Sequence, residues 1–217
     1  MATIGIIGAG KVGTALARLV IAAGDEVLLV GSPKAQYFEQ IVAMTVPGAR
    51  VATIDEVADA AELTILAVPF GKVDTVPLDR FNEAVVVDAA NYWEPVDGTP
   101  AILQRDVDGT LSTSELVQTL NPAVRLVKSL NHLGYHDMDT DGLPAGDPKR
   151  RAVAVAGDDQ TANDTVAAFL DRIGFDAVDL GSLAAGAALQ PGEPVFGTFV
   201  QRAELAAIAA DSEGLAA

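Results

Sequence analysis

Residues 3–30, TIGIIGAGKVGTALARLVIAAGDEVLLV, hold a strand, a glycine turn, a helix and a second strand. Thr3 to Ile7 is a short Ile-rich run of β-type composition, ended by Gly8 to Gly10. Val12, Ala15, Leu16, Leu19 and Val20 then recur at helical spacing, and Gly24 supplies a stop. Glu26 to Val30 is apolar again. The result is a βαβ unit of about thirty residues.

The alternation continues outward from this unit. Further strands are expected at 49–52, 63–68, 84–89, 124–129, 152–156 and 176–180. Helices are expected at 33–44, after Thr53, from Ser112 to about Leu120, at 160–173 and, Ala-rich, at 199–210. Thr53 with Glu56, and Ser112 with Glu115, have the spacing of capping boxes, in which each side chain satisfies the other residue's backbone amide. Residues 137–150, DMDTDGLPAGDPKR, read as a long exposed loop. Strands separated by helices predict an α/β fold: a Rossmann-like, doubly wound, mostly parallel sheet with helices on both faces. No linker or repeat interrupts the chain. Residues 1–217 therefore read as a single domain, with 151–217 extending the sheet and completing a second-substrate pocket.

Bulk properties narrow the function. Half of the 217 residues are hydrophobic, which suits a globular fold. The formal net charge is -16, a surface that repels nucleic acid and anionic membranes. With no cysteine, disulfides, thiolate metal sites and cysteine nucleophiles are excluded. No apolar run reaches membrane-span length, and the N-terminus has no basic n-region, so a cytoplasmic protein is expected.

Gly8-Ala9-Gly10-Lys11-Val12-Gly13 matches G-x-G-x-x-G between a buried strand and an amphipathic helix. Gly8 permits the turn, Gly10 lets backbone approach a pyrophosphate, and Gly13 lets helix pack on strand. The amides of the helix N-terminus then face the phosphates, and Lys11 adds a local positive charge. A dinucleotide is the expected ligand. For NAD, an acid should follow about twenty residues on to hold the adenosine ribose. That window, Leu29 to Ser32, holds no carboxylate, and Pro33 and Lys34 follow it. Its absence removes a repulsion toward a 2′-phosphate. Ser32 can donate a hydroxyl, Lys34 a charge and Gly31 an amide, so NADP is favoured over NAD.

Ligands of such sheets sit at the carboxyl ends of the strands. Three segments follow strands there: Ala67, Val68 and Pro69; then Ala89 and Asn91; then Leu130, Asn131 and His132. Asn91 has an amide suited to the nicotinamide carboxamide. His132 and His136, the only histidines, stand four apart near Asp137 and Asp139; a wall-positioning role is favoured and no metal is assigned. No nucleophile motif and no Ser-Tyr-Lys pattern is present. Such sparse acid–base equipment fits hydride exchange between flat heterocycles better than ketone reduction.

The chain resembles the coenzyme F420-dependent NADP oxidoreductases and their actinobacterial relatives. The resemblance runs to about residue 180 and rests on IGIIGAGKVGTALARLVIAAGDEVLLVGS, LAVPF, VVVDAANYW, VKSLNHLGYHDM and AVAVAGDD in that order. It implies hydride transfer between NADP(H) and a deazaflavin coenzyme of the F420 type. It implies that the Gly8 loop holds pyrophosphate and that Ser32 and its neighbours hold the 2′-phosphate. Residues around Val68, Asn91 and Leu130 to His132 would line the two rings, with Asn91, Asn131 and His132 as the catalytic positions. Other readings keep NADP but change the acceptor to a flavin, quinone or imine, or make the chain a non-catalytic NADP sensor. The partner is a small redox molecule, and the Ala-rich tail predicts a homodimer.

Overall fold

The structure, a computed structural model, describes residues 1–32 and 37–215. Along the chain run β1 (Thr3–Ile7), α1 (Lys11–Ala22), β2 (Glu26–Val30), α2 (Phe38–Thr45), β3 (Arg50–Val51), α3 (Ile54–Ala60), β4 (Leu63–Leu66) and β5 (Val85–Asp88). There follow α4 (Glu94–Asp97), α5 (Thr113–Gln118), β6 (Arg125–Ser129), α6 (Tyr135–Thr140), β7 (Ala152–Ala156), α7 (Gln160–Arg172), β8 (Asp176–Asp179) and α8 (Arg202–Leu215). Short 3-10 turns at Phe70–Thr75, Leu78–Phe81, Ala101–Arg105 and Leu183–Leu189 fill the connections.

Among the described residues, eight strands form one sheet in the order β3-β2-β1-β4-β5-β6-β7-β8. The first six are mutually parallel, and reversal of strand order beside β1 opens a crevice at their carboxyl ends. The doubly wound α/β class expected from the alternation is what the chain adopts. Both faces are covered, and the central strands β4 and β5 are buried along their whole length. Ile4, Ile6, Val85 and Val87 pack with Leu16, Val20, Val166 and Phe169 of α1 and α7. Ile7, Leu66 and Val86 pack on the other side with Val57, Phe70, Val73 and Leu116. A third cluster joins Ala152, Ala154 and Val178 to Leu189, Val195 and Leu205.

Both capping boxes form, on Thr53 with Glu56 and on Ser112 with Glu115. Three expectations differ. The helix expected over 33–44 begins at Phe38, after Tyr37 in the left-handed region at φ 62°; residues 33–36 lie outside the described residues. The tail helix starts at Arg202, leaving Phe199 in the preceding loop. The loop expected over 137–150 opens with α6. There the Asp137 carboxylate accepts the Gly134 amide, Met138 is buried, and Arg18 clasps Asp139 with two bonds of 2.9 and 2.7 Å.

β7 runs antiparallel to β6. The connection leaves the carboxyl edge of β6, makes only the short α6, and re-enters from that same edge. A parallel crossover needs a longer covering element. Among the described residues no helix is long and apolar enough to cross a membrane.

Candidate active site

Gly8 leaves β1 at φ 117°, its amide donating to Val30 O (2.9 Å). A Cβ there would lie 2.4 Å from Ala67 O, so the β1 and β4 ends close up only around glycine. A Cβ on Gly13 would lie 1.8 Å from Gly8 O, which fixes how near α1 sits to β1. Gly10 is different: nothing lies within 4 Å of its would-be Cβ, so the space in front of it is open. Gly10 is also the N-cap of α1, without a side-chain cap bond or an acid in the first turn. The first amides of that helix are thus left to whatever occupies the space.

A cavity of about 920 Å³ opens in front of this loop. Gly8, Ala9, Gly10, Gly31, Ser32, Ala67, Val68 and Pro69 line it, with Lys72 and Thr75 from the turn after β4. A Cβ on Gly31 would enter the Phe38 ring at 2.2 Å, so any larger residue there would have to displace that ring. Lys34 lies outside the described residues.

A second cavity of about 350 Å³ lies toward β5 and β6. Val12, Ala89, Asn91, Leu130, Asn131 and His132 line it, closed by Leu133, Tyr135, Asp137 and Phe196. The described residues predicted for the site therefore divide between two cavities, with Gly13 supporting the loop from behind. Lys11 stands by the second cavity, donating to Tyr135 OH (3.3 Å) with its ammonium 5.0 Å from that ring's centroid.

Asn91 and Asn131 are clamped together. Asn91 Nδ2 donates to Asn131 O (2.7 Å), while Asn131 Nδ2 donates to Asn91 Oδ1 (3.0 Å) and to Leu189 O (2.6 Å). One N–H and one lone pair of the Asn91 amide remain for a ligand. Leu130 turns the chain at φ 65° while its side chain is buried, a left-handed conformation that costs about 1 kcal/mol or more outside glycine.

His132 is turned inward. Its ring is buried and Nε2 accepts the Ala154 amide at 3.3 Å. Ser129 Oγ donates to Ala154 O (2.7 Å), so the two side chains serve the β7 backbone where its ladder with β6 runs out. Burial, then the Arg151 and Lys128 charges, pull the imidazole down to about 3. It is neutral at physiological pH. Acidification should destabilise the fold through this group: the unfolded chain's His132 protonates near pH 6.5 and the folded one does not until about 3. The stability it contributes is present above the unfolded value and is lost as pH falls, at up to ~1.4 kcal/mol per unit. Urea titrations at pH 7 and 4 should therefore show a smaller pH effect in His132→Gln than in the parent. Equal slopes would contradict the assignment.

Beneath this site lies an ion pair that sequence reading missed. Asp88 and Lys128 are fully buried, with Nζ 3.2 Å from Oδ2. Asp88 also accepts Ser114 Oγ (2.6 Å) and the Ala90 amide (2.9 Å), while Lys128 donates to Ala90 O. Both ends of the Ala90 residue are thereby held, one step before Asn91. Burial lowers the Lys128 pKa and Asp88 opposes that shift. A lysine between apolar strand residues, in LVKS, was the available signal.

Residues 3–92 match the family model described as NADP oxidoreductase coenzyme F420-dependent. A hypothetical protein of Sinorhizobium meliloti is similar over 93% of this chain and 96% of its own, at 28% identity and a TM-score of 0.77. A protein of Arthrobacter sp. FB24, named provisionally as an F420-dependent NADP reductase, is similar over 87% and 88% at 27% identity and a TM-score of 0.70. A Mycobacterium tuberculosis 3-hydroxyisobutyrate dehydrogenase, at 17% identity and a TM-score of 0.59, shares the fold. No curated protein matches the chain. Over residues 3–92, the segment that carries β1 to β5, the chain matches the model of the NADP oxidoreductase, coenzyme F420-dependent family, in line with the resemblance carried by its sequence motifs there.

Proposed function

We propose that the protein transfers hydride between NADP(H) and a deazaflavin coenzyme of the F420 type. The observation that carries this reading is the second cavity's wall. It offers apolar surface from Ala89, Leu130, Leu133 and Phe196, and two mutually clamped amides. Of its other polar groups, the His132 ring is buried, neutral and already bonded to backbone, Asp137 is paired with Arg151, and the Tyr135 hydroxyl accepts from Lys11. Carbonyl reduction calls for a proton donor at the forming alkoxide. Hydride exchange between flat rings calls for orientation and exclusion of water.

The Gly8–Gly13 loop and the start of α1 fit a pyrophosphate, because Gly10 leaves open the space a Cβ would take. Gly31 and Ser32 would hold the ribose end, and the remaining N–H and lone pair of Asn91 would orient a carboxamide. Bound NADPH would supply the hydride, and the deazaflavin would take it up with one proton from water. Leu130, Leu133 and Phe196 would keep the space between the rings dry. A homodimer through the Ala-rich tail and a cytoplasmic location belong to the same proposal.

The test is to mix the protein with NADPH and oxidised deazaflavin and follow the visible absorbance, with NADH in parallel. Bleaching faster with NADPH supports the reading. Nucleotide binding without bleaching would remove the deazaflavin and leave the dinucleotide site.

A further inference from the structure

Lys72 lies in none of the motifs that point to a nucleotide, yet it lines the same cavity as Gly10, Gly31 and Ser32. Its backbone is firmly placed. Phe70 and Val73 on either side are fully buried, the Gly71 amide donates to Asp97 Oδ1 (2.9 Å), and Thr75 Oγ1 donates to Lys72 O (2.7 Å). Its ammonium is exposed and, among the described residues, no carboxylate lies within ion-pair distance of it. That is unusual in a chain with 30 acidic residues against 14 Lys and Arg. The arginines near the cofactor end are committed: Arg80 binds Asp55 (2.8 Å) and Arg50 binds Glu56 (2.8 Å).

We infer that Lys72 is a specificity-determining residue whose ammonium binds the 2′-phosphate of the dinucleotide; the inference rests on the NADP reading above. The ends of β2 and β4 flank that of β1 in the sheet, so Ser32 and Lys72 reach one cavity from two sides of the glycine loop. Phe38, Ile41, Ile54 and Val76 make the remaining wall apolar, as an adenine requires. The pyrophosphate already has the α1 amides. The 2′-phosphate, a dianion brought to a protein of net charge -16, needs cations of its own; Pro33 beside Ser32 supplies none, and Lys72 would add to the charge expected of Lys34.

The experiment titrates the full chain with NADPH and with NADH by nucleotide fluorescence, for the parent, Lys72→Met and Lys72→Arg. Lys72→Met should weaken NADPH binding about tenfold and NADH binding less than twofold, the loss of one charge-assisted contact. Lys72→Arg should restore most of the preference, and the parent's NADPH affinity should fall more steeply with salt than the variant's. Equal weakening for both nucleotides, or none, would overturn the inference while leaving the NADP reading intact. A parent that binds neither nucleotide would overturn both. Unchanged thermal midpoints separate lost binding from lost folding.

Discussion

Lys128→Met should lower the stability of the fold by about 3–5 kcal/mol, because it leaves the Asp88 carboxylate buried without its counter-charge. The methionine nearly matches the lysine stem in volume, so a cavity contributes little. The cost is electrostatic: Asp88 keeps the Ser114 hydroxyl and the Ala90 amide, but both are neutral donors. Urea denaturation measures the loss as a lower midpoint at unchanged slope. Adding Asp88→Asn to the same chain should recover part of it, since the uncompensated charge is then gone. A loss below about 1 kcal/mol in the single variant would mean that the pair is not a desolvated ion pair. In material that remains folded, the freed Ala90 residue should loosen Asn91 and weaken nucleotide binding.

The second large effect divides two glycines of one motif. Gly13→Ala should reduce both stability and nucleotide binding, because its Cβ would sit 1.8 Å from the Gly8 carbonyl and must push α1 off β1. Overpacking of this kind costs about 1–3 kcal/mol. Gly10→Ala meets nothing within 4 Å, so its thermal midpoint should stay where it is. Its methyl instead occupies the space before the α1 amides, and dinucleotide affinity should drop by about a hundredfold, the equivalent of roughly two charge-assisted hydrogen bonds. Calorimetric melting and nucleotide titration of the two variants test the pair. Undiminished binding by Gly10→Ala would move the phosphate away from the loop.

Much of this was legible in the residues because the signals were local and redundant. The switch from β-type composition to helical spacing between Ile7 and Val12 marks β1 and α1, and the glycines between them mark the crevice. The two capping boxes mark helix starts by chemistry within four residues. What was not legible depended on distance. α6 has only Tyr135 and Met138 at helical spacing, and it is held by Arg18, more than a hundred positions earlier in the chain. Asp88 and Lys128 each look like surface charges until their strands are paired. Their register, Asp88 opposite Lys128, is what makes them partners. His132 read as a wall of the site, and it does line the cavity, but its bond to Ala154 depends on β7 running antiparallel.

The reversal of β7 also sets an order of assembly. β8, parallel to β7, ends at the edge of the sheet away from the crevice, so the chain beyond it must travel back. It does so through the Leu183–Leu189 turn, and it is stitched down where Gly197 N donates to His132 O (3.0 Å) and Arg151 Nη2 to Thr198 O (2.7 Å). Phe196 and Gly197 thus become the last wall of the second cavity to be synthesised, long after the glycine loop has left the ribosome. On the function proposed above, a nascent chain would hold the dinucleotide's cradle before the other reactant's pocket was complete. On the same proposal, rewriting the returning segment would alter the acceptor's wall while the glycine loop stays as it is.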